Sequence, residues 1–342
     1  MRQRGRVGKW KPTADMNWKL ISAVQRTCAA LPVGSESLYW AIQRTVGGRK
    51  NGIDLIPYFE IAAKMVARLN QANSTIEDAR VMEVGTGHAL ALPICLYLCG
   101  ARAVYTFDLH RYLKPKLVME SLGSIRGKSD LIRDLFSPHM DRAKLDSRLA
   151  TLFAASTFEE LIELTKIDYR APADATATGL PDHSVDIHFS NNVLEHVPGP
   201  VIQRMLIEAN RVLSHGGLAY HRINPGDHFA RYDRSISSTN FLRFSDSEWQ
   251  RVGGNKFGYH NRLRAYEYKE IFRLAGHEII WWDDESDARA LEELKSGFPL
   301  HPAYEKCPPD QLAIVNFEVL SRPETMTISA AQPDSSQYRN TI

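Results

Sequence analysis

The sequence contains few cysteines, and their positions exclude the usual cysteine-based sites. Only four are present, Cys28, Cys95, Cys99 and Cys307. They form neither a disulfide framework nor the paired C-x-x-C pattern of a zinc site. Cys95 and Cys99 lie four residues apart on one face of a predicted helix, so we expect both to pack as small apolar residues.

The sequence also lacks a long apolar run and a strong net charge. No apolar run approaches the ~20 residues needed to span a bilayer, so no membrane span is expected. A formal net charge of +2 gives no general attraction to nucleic acid. Residues 1–11 are basic but lack the apolar core of a secretory signal; we interpret them as a solvated tail, with a nucleic-acid or membrane-surface arm as the alternative. With 44% hydrophobic and 24% charged residues, the composition is typical of a folded enzyme, expected to be cytoplasmic.

A glycine turn between a strand pattern and a helix pattern is the most informative feature of the chain. Residues 81–84 predict a strand, Gly85 and Gly87 form the turn, and the apolar segment 90–98 predicts a helix. This is the start of a doubly wound sheet, in which nucleotides bind at the carboxyl edge of the strands. Glycines allow the backbone to approach a ligand closely. Leu90 stands where a dinucleotide fingerprint has its third glycine, so an NAD site is disfavoured.

The next predicted strand ends in an acidic residue. Residues 103–108 have the pattern of a short strand, and Asp108 closes it. An acidic side chain at this distance from the glycine turn can accept hydrogen bonds from two ribose hydroxyls. A third strand is predicted near 166–169, after an insertion at 111–165 that is far longer than a single crossover helix requires.

The segment that follows predicts two more strands joined by a helix. Residues 185–190 have the pattern of a buried fourth strand, which ends at Asn191. A helix is predicted over about 201–213, closed by Gly216-Gly217, and the fifth strand over 218–223. Further along, a helix and two strands complete a seven-stranded sheet with an antiparallel hairpin, at about 265–275, 278–282 and 312–320.

Four ordered motifs resemble those of the class I S-adenosylmethionine-dependent methyltransferases, of the type 11-like kind. They are E-V-G-T-G-H-A at the glycine turn, the strand-ending Asp108, the block D-A-T-A-T-G-L-P-D-H-S-V-D from Asp174, and N-N-V-L-E-H-V from Asn191. The resemblance covers roughly residues 80–321. It implies a Rossmann-like seven-stranded α/β fold and S-adenosyl-L-methionine as the cofactor.

The resemblance also implies roles for individual residues. The glycine loop would approach the methionine part of the cofactor, and Asp108 would hold the ribose. Asp174 with Ala175 would face the adenine, and Asn191 would lie under the sulfonium and the amino acid. The implied cofactor-binding residues are Glu83, Gly85, Thr86, Gly87, Asp108, Asp174, Ala175 and Asn191.

The segment after the fifth strand is the best candidate for binding the methyl acceptor. It is long, polar and aromatic, and it starts at the carboxyl end of a strand. His228 is the candidate general base, with Asp227 as its carboxylate neighbour; a loop histidine bonded to backbone is the alternative. We interpret His196 as part of the fold or the cofactor pocket, and His221 as an inward-facing structural residue. No histidine and carboxylate pair has convincing ligand spacing, so no metal is assigned and metal dependence stays open.

The residues of this segment are similar to methyltransferases that accompany surface-polysaccharide and glycolipid assembly in bacteria. The similarity lies in residues 235–246, Trp249 and residues 259–264. It implies O-methylation of a sugar hydroxyl, with Trp249 and Tyr232 stacking on sugar rings. The alternative for Trp249 is packing of the segment onto the sheet.

The sequence therefore predicts a methyltransferase that acts on a sugar or another hydroxyl-bearing small acceptor. The alternatives are a natural-product or lipid methyltransferase, and a non-catalytic cofactor-binding or scaffold protein. A nucleic-acid partner is not expected, and a homo-oligomer is left open. The predicted organisation is a basic tail and helical cap at 1–75, a methyltransferase domain at 76–322 with a helical insertion at 111–165 and an acceptor-loop insertion at 225–263, and a disordered tail at 323–342.

Overall fold

Seven strands form one sheet, as the sequence predicts. The computed structural model describes residues 16–31, 38, 52–255 and 257–324. The predicted basic tail at 1–11 lies outside them, as does the predicted C-terminal tail apart from residues 323–324. The strands are β1 (Arg80–Val84), β2 (Ala103–Phe107), β3 (Ile167–Arg170), β4 (Val185–Asn191), β5 (Leu213–Ile223), β6 (His277–Ser286) and β7 (Ile314–Pro323). Their order is β3-β2-β1-β4-β5-β7-β6.

The first five strands are parallel, and β7 runs antiparallel to both β5 and β6. The chain leaves β1 toward β2 on one side and reaches β4 on the other, so the strand order reverses between β1 and β4. In doubly wound sheets, ligands bind outside the carboxyl ends of the strands at this reversal. The glycine turn follows β1 and the Asn191 loop follows β4, so both lie at this edge.

Twelve α-helices are present among the described residues. They are α1 (Trp18–Ala29), α2 (Ile56–Gln71), α3 (Ala91–Leu98), α4 (Pro115–Ile125), α5 (Ser129–Phe136), α6 (Arg142–Ala154), α7 (Phe158–Thr165), α8 (Gly199–Val212), α9 (Asp246–Val252), α10 (Ala265–Leu274), α11 (Ala288–Lys295) and α12 (Pro309–Leu312). No helix among these residues is both long and apolar enough to cross a bilayer.

The helical insertion at 111–165 contributes to the main core. Its apolar residues Leu117, Ile132 and Leu149 are buried in the same cluster as Phe59 of α2 and seven of the eight residues of α3. Its last helix, α7, begins after Thr157, because Thr157 and Glu160 form a capping box in which each side chain accepts from the other residue's backbone N–H. The insertion therefore forms part of the helical layer on one face of the sheet. Helices α8 and α10 cover the other face.

The start of β5 differs from the prediction. Helix α8 ends at Val212 and β5 begins at once with Leu213, so the predicted helix stop at Gly216-Gly217 is wrong. The two glycines lie inside the strand, and Gly216 has a φ of +84°. The pairing between β4 and β5 shifts register at this point. A glycine with positive φ in a strand is typical of such an irregularity.

Helix α1 packs on the acceptor segment, which we define as residues 225–263. Asn17 caps the helix by accepting from the Lys19 N–H. The Trp18 ring stacks on Trp249 with 6.0 Å between centroids and lies 5.6 Å from Phe229. Trp249 is only 4% exposed, so its ring is not available to stack on a sugar. That expectation is wrong because the indole fills the apolar space between α1, α9 and the 3₁₀ turns of the segment.

Candidate functional site

The glycine turn after β1 closely approaches the loop after β4. Gly85 has a φ of +90° and Gly87 a φ of +69°, a region that favours glycine. A Cβ on Gly85 would lie 2.3 Å from Cγ2 of Val193, whereas a Cβ on Gly87 would meet nothing within 4 Å. Gly85 thus allows close packing of the two loops. Gly87 leaves backbone open at the edge where a ligand would bind.

We expect Gly85→Ala to lower the free energy of unfolding by about 2–4 kcal/mol, because the new Cβ combines backbone strain with a clash against Val193. Gly216→Ala is the matched control. Gly216 has a similar φ but no atom within 4 Å of an added Cβ, so its loss of about 1–2 kcal/mol reports strain alone. Urea denaturation measures both losses.

Adding Val193→Ala to Gly85→Ala should recover most of the difference between these two losses, because it removes the clash and leaves the strain. Equal losses for Gly85→Ala and Gly216→Ala would contradict the close approach of the two loops.

Asp108 connects the end of β2 to the glycine turn. One carboxylate oxygen accepts from the Gly87 N–H at 3.0 Å, and the other accepts from the His110 N–H at 3.2 Å. Burial raises the pKa of Asp108, while these two N–H groups oppose the rise. The side chain thus lies beside the turn, where it can also accept hydrogen bonds from a ligand's hydroxyls.

Glu83 supports the turn from beneath through two threonines. Thr106 donates to Glu83 at 2.5 Å, and the hydroxyls of Thr86 and Thr106 lie 2.6 Å apart. Burial raises the pKa of Glu83 to about 8, and the Thr106 hydrogen bond lowers it in part. This buried chain of hydrogen bonds fixes Thr86 of the turn relative to β1 and β2.

The remaining predicted cofactor residues lie along the same edge. The Ala173 N–H donates to the Asp108 carbonyl at 2.9 Å, which places Asp174 and Ala175 beside the end of β2. Asp174 is exposed and accepts from the Thr176 N–H at 2.8 Å. Asn191 ends β4 next to the turn. The structure thus places all eight predicted cofactor residues around the carboxyl ends of β1 to β4.

Beyond Asn191, the loop after β4 contributes to a cluster of one glutamate and three histidines. We call Glu195, His196, His228 and His260 the His–Glu cluster. Ring centroids lie 5.0 Å apart for His196–His228 and 4.7 Å for His228–His260. Nε2 of His228 lies 3.9 Å from Oε1 of Glu195. Three separated stretches of sequence form the cluster: residues 195–196, residue 228 and residues 260–261. The side chain of Asn261 joins two of them by donating to the Leu194 and Val197 carbonyls.

Several polar atoms of the His–Glu cluster have no hydrogen-bond partner. Both carboxylate oxygens of Glu195 are buried and unpaired, as are Nε2 of His228 and Nε2 of His260. Glu195 itself is 0% exposed. Burial raises the pKa of Glu195 to about 8 and lowers the pKa of His228 and of His260 well below the usual range. Buried polar groups are normally paired, so unpaired ones need an explanation.

Asp227 contacts the backbone of its own segment rather than the His228 ring. Its Oδ1 accepts from the Phe229 N–H at 2.9 Å, which caps the 3₁₀ turn His228–Arg231, and its Oδ2 accepts from Nδ2 of Asn240 at 3.0 Å. Burial raises its pKa to about 6. The carboxylate that faces the His228 ring is Glu195. Asp227 therefore holds the turn on which His228 lies.

His221 lies inside the sheet, outside the His–Glu cluster. His221 is 0% exposed, as the sequence predicts, and its Nδ1 lies 2.8 Å from the Ser190 hydroxyl. His196, interpreted from sequence as part of the fold or the cofactor pocket, belongs to the His–Glu cluster. One sequence signal could have indicated this grouping: residues 195–196 and 228 follow β4 and β5, which are neighbouring parallel strands.

Comparisons with known proteins give a match to one family model. Residues 141–221 match the family model described as "Methyltransferase domain". No curated protein matches the chain. Similar solved structures include magnesium protoporphyrin IX methyltransferase (ChlM) from Synechocystis PCC 6803 with bound SAH, at 13% identity and a TM-score of 0.43, covering 84% of this chain and 99% of that one.

Two others are a putative sarcosine dimethylglycine methyltransferase from Galdieria sulphuraria, at 12% identity and a TM-score of 0.41, covering 77% of this chain and 85% of that one, and the cyclase SpnF, at 17% identity and a TM-score of 0.41, covering 78% and 81%. At these sequence identities and TM-scores, the solved structures indicate neither the substrate nor the reaction of this protein.

The match at residues 141–221 indicates a methyltransferase domain in this part of the chain, and the seven-stranded Rossmann-like sheet contains it.

Proposed function

We propose that this protein transfers the methyl group of S-adenosylmethionine to a hydroxyl of a small acceptor, a sugar or another polyol. One observation carries the proposal: the loop after β4 joins the glycine turn to the His–Glu cluster. Val193 of that loop packs on Gly85, and Glu195 and His196 follow within three residues. A methyl donor at the turn and an acceptor at the cluster would therefore lie side by side.

The reaction is a displacement at the methyl carbon of the sulfonium. The carbon–sulfur bond breaks, its electron pair stays on sulfur, and the acceptor oxygen forms the new bond to carbon. The cofactor supplies the reactivity, and the protein has to align donor and acceptor. The proposed cofactor residues do so on the donor side: Glu83, Gly85, Thr86, Gly87, Asp108, Asp174, Ala175 and Asn191.

On the acceptor side the hydroxyl has to lose its proton. His228 is the proposed base, because its Nε2 has no hydrogen-bond partner and its ring belongs to the His–Glu cluster. Asp227 is proposed as a positioning residue, since it caps the turn that carries His228. Positioned bases of this kind contribute about 10²–10⁴-fold to rate.

Polar groups around the loop after β4 favour an acceptor rich in hydroxyls. Asn191 and Asn192 lie next to each other, and Nη1 of Arg222 lies 3.4 Å and 3.3 Å from their side-chain oxygens. Amide and guanidinium groups bind hydroxyl oxygens well. With Trp249 buried, the case for a sugar rests on these polar groups and not on stacking.

The test is methyl transfer to a panel of acceptors. The protein is incubated with S-adenosylmethionine carrying an isotope-labelled methyl group and with sugar nucleotides, glycans and simple polyols; parallel mixtures contain phenolic natural products and lipids. Mass spectrometry should find the label on an oxygen of a sugar or polyol, and Asp108→Ala should abolish the signal.

Other outcomes would overturn the proposal in different ways. A label found only on phenols or lipids would favour the natural-product or lipid alternative, and a label on nitrogen or carbon would contradict O-methylation. Cofactor binding without transfer to any acceptor would favour a non-catalytic protein.

A further inference from the structure

The His–Glu cluster has the composition and placement of a transition-metal site. Glu195, His196 and His228 each offer one ligand atom, and these three atoms lie within 4.8 Å of one another. Two imidazoles and one carboxylate are the protein ligands of many zinc and non-haem iron sites. Such sites leave coordination positions open for water or substrate.

The unpaired atoms point to a ligand that the protein itself does not supply. Glu195 is fully buried, yet neither of its carboxylate oxygens has a hydrogen bond, and the buried Nε2 of His228 faces it at 3.9 Å without one. A buried polar atom without a hydrogen bond lowers the stability of the folded state. A cation between them would satisfy all three atoms at once.

His196 has the support that metal-bound histidines usually have. Its Nδ1 lies 2.7 Å from the Tyr259 carbonyl. A hydrogen bond from Nδ1–H to that carbonyl leaves Nε2 unprotonated and directed away, free to bind a metal. Metal-binding histidines almost always donate their second ring nitrogen in this way.

The loops that carry the three residues are anchored independently of any metal. The Asn261 N–H donates to the Glu195 carbonyl at 2.9 Å, and its side chain donates to the Leu194 carbonyl at 2.7 Å. Asp227 caps the turn that holds His228. Small side-chain rotations on this fixed backbone would place each of the three ligand atoms ~2.0–2.2 Å from a shared ion, the ligand distance that zinc requires.

We infer that Glu195, His196 and His228 bind a divalent first-row transition-metal ion beside the methyl-donor site. His260 adjoins the site, with its ring 4.7 Å from that of His228 and its Nε2 unpaired. Mg²⁺ and Ca²⁺ prefer all-oxygen sites and do not fit this ligand set.

This inference restricts the chemical class of the methyl acceptor. The restriction rests on the proposed function. An acceptor with two neighbouring oxygens, such as a vicinal diol or a hydroxy acid, could occupy two open positions of the ion. Coordination lowers the pKa of a bound hydroxyl. His228 would then be a ligand of the ion.

The direct test is metal binding to the whole protein without cofactor or acceptor. The protein is stripped with a chelator, and Zn²⁺ and Co²⁺ are titrated in competition with a chromophoric chelator. We expect one equivalent of each to bind, with Co²⁺ absorption bands typical of mixed nitrogen and oxygen ligands. Glu195→Gln and His196→Asn should each weaken binding at least about a hundredfold.

These variants keep the shape of the site, because glutamine matches glutamate in size and asparagine can still donate to the Tyr259 carbonyl. His139→Ala, which removes a half-buried histidine outside the cluster, should bind metal like the wild type. Wild-type protein that binds no Zn²⁺ or Co²⁺, or Glu195→Gln protein that binds them unchanged, would overturn the inference.

Failure of the inference is distinguishable from failure of the proposed function. Binding of S-adenosylmethionine to the metal-free protein is measured separately by calorimetry and depends on Asp108, not on the His–Glu cluster. Methyl transfer by the metal-free wild type at an undiminished rate would also overturn a metal role and would leave His228 as the base.

Discussion

Asp108→Ala should weaken S-adenosylmethionine binding by about 10²–10⁴-fold. The carboxylate at the end of β2 lies against the glycine turn, where it would accept hydrogen bonds from two ribose hydroxyls. Each hydrogen bond to a charged group contributes about 1.5–3 kcal/mol, and 1.4 kcal/mol corresponds to a tenfold change in affinity. Isothermal titration calorimetry measures the change.

Two further variants make this result specific. Asp108→Asn keeps one side-chain acceptor and should lose less affinity than Asp108→Ala. Asp168→Asn removes a carboxylate that pairs with Arg170 on the edge strand β3 and should bind like the wild type. Undiminished affinity in Asp108→Ala would remove the ribose assignment.

His228→Ala should slow turnover by about 10²–10⁴-fold and leave cofactor affinity within about twofold of the wild type. The ring lies in the His–Glu cluster, on the acceptor side of the loop after β4, whereas the residues proposed to hold the cofactor follow β1 to β4. The loss is expected whether His228 takes a proton or binds a metal. Single-turnover assays with labelled methyl donor measure it.

His215→Ala is the matched control for this prediction. His215 is exposed near the start of β5, away from the carboxyl edge, where its ring stacks on that of His183. The turnover of the His215→Ala protein should equal that of the wild type. Wild-type turnover in His228→Ala would rule out both roles of the residue, and a parallel loss of cofactor affinity would indicate a structural role.

The positions of the residues proposed to bind the cofactor could be predicted from sequence because these residues are local. Gly85, Gly87 and Asp108 each lie at or directly after a strand end, and parallel strands bring their carboxyl ends to one edge. The strand pattern and the turn residues thus determine both the fold and the position of these groups. The structure places them as predicted.

The acceptor side could be predicted only in part, because it depends on contacts between distant segments. His228 was visible as a polar residue after β5, but its predicted neighbour Asp227 faces the backbone of its own turn, and Glu195 faces its ring instead. The spacing of residues 195, 228 and 260 along the chain does not indicate a contact between them. The strand order brings residues 195 and 228 near each other, since β4 and β5 are adjacent, but it does not indicate where the side chains point.

Two local predictions failed for physical reasons. The Gly216-Gly217 pair has the composition of a helix stop, yet β5 begins three residues earlier and accommodates the glycines in a register shift against β4. Trp249 is of a residue type that often stacks on sugars, but here its ring packs among Trp18, Phe229 and Phe241 and is buried. Residue type alone distinguishes neither a helix stop from a strand irregularity nor a sugar-stacking ring from a core ring.

The central claim is that the methyl donor binds between the glycine turn after β1 and the loop after β4, and the most direct test is a crystal structure with S-adenosylhomocysteine bound. The account predicts the ribose hydroxyls within hydrogen-bonding distance of Asp108 and the sulfur on the side facing Glu195 and His228. A product molecule at any other place, or a sulfur directed away from that cluster, would contradict it.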